Sequence, residues 1–138
     1  MTDISDEAID ILVTHFATVP SPLTVVSLQQ LGNTVNRIRA DATAFSHREA
    51  RYELLIHSIW LDPADAARNI QWTRALAETM HPFTTRRAYI NTMGIEAEEG
   101  ADRSKAAYGL NYERLVALKN IYDPTNLFRH NQNIKPTA

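Results

Sequence analysis

The side chains able to do chemistry cluster in three short stretches. Tyr89 and Asn91 stand two apart in a run, 86–92, that reads as a short strand, so a phenol and an amide leave one face together. Gln29 and Gln30 close a β-branched run at 23–31, and strand alternation sends one amide to each face. In the tail, Asn131 and Asn133 flank Gln132; such amides can meet a ligand's donors and acceptors or satisfy nearby backbone groups. Lys119 falls in the apolar arc of a helix, where its stem packs and its head reaches Asp123 or the last carbonyls. Metal chemistry has little footing, because His15, His47, His57, His81 and His130 show no ligand spacing. The absence of cysteine removes disulfides and thiolate ligands and leaves the redox compartment open. With only four glycines there is no phosphate-cradling loop, and no serine sits in a G-x-S-x-G elbow.

The elements that position these residues follow from periodicity. Ser5 caps a first helix, Asp6 and Glu7 suit its positive end, and Ile9, Leu12, Val13 and Phe16 form the expected buried stripe. Pro20 and Pro22 end it. Strands are predicted at 23–31 and 51–60. In the second, Tyr52, Leu54, Ile56, Ser58 and Trp60 point to the core, and His57 lies on the opposite, mixed face. Val35, Ile38 and Phe45 are candidates for short strands between them. Asp62-Pro63 opens the longest helix, with Ala66, Ile70, Thr73, Ala77 and Met80 buried and Trp72 and Leu76 flanking. A glutamate-rich loop at 94–100 and a short helix at 103–107 lead to a closing helix capped by Asn111. Leu115, Val116, Leu118, Tyr112 and Tyr122 share one side of it. Pro124 stops that helix, and Asp123-Pro124-Thr125-Asn126 reads as a tight turn. Short connections favour antiparallel pairing. The expected fold is therefore α+β, an antiparallel sheet of about three to four strands with helices packed on one face.

Composition narrows the classes. A chain of 138 residues is one ordinary domain. Lys and Arg number 14 against 16 Asp and Glu, a net charge of −2 with no basic patch, so no nucleic acid partner is expected. No apolar run approaches the ~18 residues that span a bilayer, so no membrane partner is expected either. The N-terminus is acidic rather than basic-then-apolar, which is not a signal peptide, and cytoplasmic residence is the expectation.

The closing stretch carries a resemblance. N-Y-E-R-L-V-A-L-K, Y-D-P-T-N-L-F and N-Q-N-I, within residues 111–136, closely resemble the C-terminal segment of the berberine-bridge-enzyme-like FAD-linked oxidases. Leu28-Gln29-Gln30-Leu31-Gly32, Ala44-Phe45-Ser46-His47-Arg48 and Tyr89-Ile90-Asn91 look like parts of that family's substrate domain. The resemblance implies a partial substrate domain over 1–107 and a berberine-bridge-like segment over 108–138. It also implies a sheet larger than this chain makes alone, and nothing here resembles the family's flavin-binding domain.

By that resemblance the cofactor is FAD, held in the complete enzyme and not tightly by this chain, without any cysteinyl link. Substrate oxidation would proceed by hydride transfer to FAD, followed by reoxidation by oxygen. Tyr89 and Asn91 take the catalytic positions; the phenol accepts a proton, which requires lowering it from a range near 10 through a cationic or hydrogen-bonding neighbour. Arg86, Arg87 and His57 supply cationic types. Gln29 or Gln30 and His57 face a small-molecule substrate, and Asn131 and Asn133 face the flavin ring. Thr92 stands where the family often has an aromatic residue. His47-Arg48 matches a structural pair. Half a sheet leaves a raw edge, from which either a homodimer or docking onto a separate FAD-binding domain is expected. The competing expectation is a stand-alone, non-catalytic dimeric module that binds a small molecule or acts as a scaffold.

Overall fold

The computed structural model describes residues 1–85, 87–93, 100–130 and 132–137. The chain divides into two compact units, Met1–Asn36 with Glu49–Arg86, and Arg37–Arg48 with Arg87–Ala138.

In the first unit, helix α1 spans Asp6–Phe16, and Ser5 caps it as expected by accepting from the Ala8 amide at 3.2 Å. Strands β1 (Val25–Gln30) and β2 (Tyr52–His57) pair antiparallel, with Val25 opposite His57 and Gln30 opposite Tyr52. Between them, Thr34–Arg37 forms one short helix, α2. The expectation of short strands at Val35 and Ile38 fails because the backbone turns at Asn33, whose φ of 58° breaks extension. A 3₁₀ turn at Pro63–Asp65, capped by Asp62 on the Ala64 amide at 2.9 Å, feeds helix α3, Ala66–Met80.

One face of the sheet is covered. Val26, Leu28, Tyr52, Leu54 and Ile56 pack on a core of Met1, Ala8, Trp72, Leu76 and Met80, joined by Ile11 and Leu12. The stripes differ from the expected ones. On α1 the inward set is Ala8, Ile11 and Leu12, while Ile9 and Val13 are 44% and 66% exposed. On α3 the buried set is Asn69, Trp72, Leu76 and Met80, and Ile70 and Ala77 face out. Both helices carry apolar residues around much of their circumference, so periodicity alone did not choose the side. Trp72 chose it: its ring meets His15 at 5.1 Å and its Nε1–H donates to Thr18 Oγ1 at 3.3 Å. Strand β2 ends at His57, so Ser58 and Trp60 are not strand residues.

The α+β class holds, with two strands among the described residues rather than three to four. The missing strand is 86–92. Tyr89 is extended, but Ile90–Thr92 is a 3₁₀ turn in which the Thr92 amide donates to Tyr89 O at 3.0 Å. Phe45 likewise lies in irregular chain. The expected loop at 94–100 falls, except for its last residue, outside the described residues.

The second unit is built on helix α4, Gly100–Tyr108, a 3₁₀ turn at Gly109–Asn111, and helix α5, Tyr112–Tyr122. Asn111 does not cap α5 with its side chain. The preceding turn is already helical, and Asn111 Nδ2 instead donates to Ala40 O at 2.8 Å. Of the predicted apolar side of α5 only Val116 is buried, and Tyr122 is 80% exposed.

Candidate functional site

Three backbone segments of the second unit meet around a cavity of about 300 Å³, lined by residues 43–47, 89–91 and 107–108. The 43–47 segment has no regular hydrogen-bond ladder, so long-range bonds must hold it. Ser46 Oγ–H donates to Ala107 O at 2.9 Å, with both residues buried. Gly109 follows with a φ of +53°, a backbone conformation that favours glycine, while a Cβ built there would make only ordinary contact with Ser46 Oγ at 3.7 Å. Asn111 holds Ala40, and Arg114 Nη1 donates to Asp41 O at 3.2 Å.

This clamp presents Phe45 and His47 to the cavity. The Phe45 ring stands edge-on to Tyr89 at 5.3 Å and 84°, and to His47 at 5.6 Å and 74°. The Arg48 guanidinium lies 4.7 Å over the Phe45 ring and donates to Thr43 Oγ1 at 2.6 Å. Tyr89 and Asn91 do come together, though by a different route from strand alternation. The 3₁₀ turn folds Asn91 back so that its Nδ2 donates to Tyr89 Oη at 2.8 Å. Tyr108, half-buried on the cavity wall, is held above the usual phenol range by burial first and then by the nearby Tyr89 phenol.

The other expected site residues belong to the first unit. Gln29 and His57 share the sheet face left uncovered by α1 and α3, but at opposite ends, since Gln29 pairs with Glu53, four residues from His57. At about 3.3 Å per residue that is roughly 13 Å, too far for one small group to touch both. Gln30 shares the core-facing side and is exposed at the strand's end. Arg86 and Asn131 lie outside the described residues, and Arg87 is exposed.

The tail is anchored around one carboxylate. Asp123 is nearly buried and accepts from the Leu127 and Phe128 amides at 2.7 and 3.1 Å. As expected, Lys119 Nζ donates to Asp123 Oδ2, and it also donates to Phe128 O at 2.6 Å. The Lys119 hydrogen bond is the main reason the Asp123 carboxyl is held below the usual carboxylate range. The two backbone amides add to it, while burial opposes it. Further along, Asn120 and Thr137 exchange two hydrogen bonds of 2.9 Å, and Gln132 Nε2 donates to Met93 O at 3.3 Å. Asn133 Oδ1 is shielded from solvent and has no hydrogen-bond partner among the described residues.

These residues include the block that known proteins share. Residues 88–135 match the family described as Berberine and berberine like. This chain carries a berberine-bridge-like segment. Individual relatives extend the likeness over 77% to 96% of the chain. The FAD-linked oxidoreductase YgaK of Bacillus subtilis is 31% identical over 133 residues, covering 96% of this chain and 29% of the relative. Berberine bridge enzyme-like C-1 of Nicotiana tabacum is 31% identical over 136 residues, covering 77% of this chain and 24% of the relative. A crystal structure of a glycopeptide hexose oxidase complexed with teicoplanin aligns with a TM-score of 0.77 at 25% identity, over 96% of this chain and 30% of that one. The chain thus spans under a third of the length of these two relatives.

FAD, the group that YgaK's name links it to, fits this chain only in part. The orphaned Asn133 Oδ1 is an acceptor suited to a ring-edge donor. The diphosphate finds no comparable place on α1, α3 or α5. Their N-termini carry Asp6 and Glu7, Asp65, and Glu113, which repel an anion where a helix would otherwise attract one. Among the described residues no group of three His, Cys, Asp or Glu could hold a metal ion, and no helix is long and apolar enough to cross a membrane.

Sequence reasoning missed Phe45, Ser46 and Tyr108 as site residues. The Ala44–Arg48 block stood out only by resemblance, and nothing in the sequence singled out Tyr108. The usable signal was the neighbouring Gly109, a residue type that marks a possible left-handed turn of the chain.

Proposed function

We propose that this chain is the substrate-facing part of an FAD-linked oxidase, contributing a pocket wall and an anchored tail beside the flavin. The observation that carries this reading is the Asn91-to-Tyr89 hydrogen bond inside a cavity walled by Phe45 and His47. In the assembled enzyme, bound FAD supplies the hydride acceptor, with oxygen as the final oxidant. Tyr89 Oη is the atom of this chain placed to receive the proton leaving a substrate hydroxyl. Asn91 fixes where that oxygen sits, and the edge of Phe45 fixes the plane of the ring. Asn133 offers its unpartnered carbonyl oxygen to the ring edge, and Asn131 follows it by resemblance.

The partner in this reading is a separate FAD-binding domain. Ile121, Tyr122, Leu127 and Phe128 are 69%, 80%, 67% and 76% exposed, which supports docking through α5 and the tail as well as through the sheet edge. Residence in the cytoplasm remains part of the proposal.

In the flavin-loaded assembly, Tyr89→Phe lowers the rate of anaerobic flavin bleaching by substrate about 10²- to 10⁴-fold, the usual worth of a positioned acid or base. Bleaching at the parent rate would remove Tyr89 from the chemistry.

A further inference from the structure

We propose that Tyr108 is a further ligand-binding residue of the cavity, its hydroxyl donating a hydrogen bond to an oxygen carried on a neutral ring beside Tyr89. The inference deepens the oxidase reading and rests on its claim that this cavity is the substrate wall.

Tyr108 is fixed from both sides. Ala107 accepts the Ser46 hydroxyl at 2.9 Å, and Gly109 packs its bare Cα side toward Ser46. The ring therefore lines the cavity from an anchored backbone. Half-buried phenols ordinarily find a hydrogen-bond partner, yet among the described residues the Tyr108 hydroxyl makes none. The Tyr89 oxygen accepts from Asn91, and its own proton also lacks an acceptor among the described residues. Both phenols line the cavity, and neither hydroxyl donates to an acceptor among the described residues. Because burial holds Tyr108 above the usual phenol range, it remains a donor at neutral pH.

The rest of the lining sets the ligand's class. Among the described residues it contains no Asp, Glu, Lys or Arg, so a charged group finds no counter-ion in that lining. Phe45 supplies an aromatic wall, and about 300 Å³ is at the small end of ligand cavities. A neutral ring bearing a hydroxyl or carbonyl oxygen meets all three conditions. The ring is either aromatic or saturated, and the chemistry at Tyr108 is the same.

The test uses the isotope-labelled 138-residue chain, unchanged and as Tyr108→Phe. Three probes are titrated by amide NMR: phenol, cyclohexanol and toluene. Phenol or cyclohexanol is expected to shift amides at 43–47, 89–91 and 107–109, and whichever binds better identifies the ring type. Tyr108→Phe should keep the parent spectrum and weaken that probe roughly fivefold, with toluene bound equally by both proteins. Equal affinity of the oxygenated probe for both proteins, with the cavity amides still moving, overturns the role of Tyr108 alone. If none of the probes moves the cavity amides, the cavity reading falls as well.

Discussion

Truncating Leu76 to alanine destabilises the chain by about 2–5 kcal/mol, whereas Ile70→Ala on the same helix stays within about 0.5 kcal/mol. Leu76 is fully buried at 0% exposure and packs between α1 and the covered sheet face, while Ile70 is 40% exposed. The first loss combines the lost burial of three carbons with an unfilled cavity; the second involves neither. Urea unfolding of both variants, read at constant slope, measures the difference. A two-stranded sheet is marginal by itself, so its stability depends on the helical layer that Leu76 anchors. Equal losses at the two positions would mean that α3 is rotated from the orientation described.

Asp123→Ala releases the tail. The Leu127 and Phe128 amides lose their acceptor, and Lys119 loses its partner while keeping Phe128 O. Hydrogen exchange at those two amides should accelerate by about tenfold or more, while Leu76 and the rest of the first unit keep their protection. The same carboxylate sets a pH window. Its folded value is lowered, principally by the Lys119 hydrogen bond, so the anchor is fully present above the unfolded value of about 4. It is lost as pH falls through the lower folded value. Exchange at Leu127, corrected for intrinsic rates, should therefore be flat from about pH 7 to 5 and rise only in stronger acid. A change centred near neutrality would point to a different anchor.

Some of this was legible in the sequence because local chemistry decided it. Ser5 and Asp62 cap where they should, Pro124 stops α5, and the Asp123 turn closes as the residue types dictate. The Lys119-to-Asp123 reach followed from spacing on one helix face. What failed had long-range causes. The buried faces of α1 and α3 were set by Trp72 and by the sheet beneath them, not by the helices' own periodicity. Residues 86–92 have strand composition, but no strand among the described residues pairs with 87–92, and Ile90–Thr92 forms a 3₁₀ turn. Tyr89 and Asn91 nevertheless met, because a 3₁₀ turn can bring residues two apart together as well as a strand face does. Asn111 was read as a local cap, but it serves a segment seventy-one positions away, which no neighbouring residue reveals. Phe45, Ser46 and Tyr108 were hidden for the same reason: each gains its role from a contact that sequence distance conceals.

Titrating FAD into the purified chain tests the central claim most directly. The account predicts no saturable binding at micromolar FAD, since none of the helix N-termini of α1, α3 and α5 welcomes a diphosphate, and it predicts that tight binding appears once a flavin-binding domain is supplied. Stoichiometric FAD retained by the lone chain through purification would contradict it.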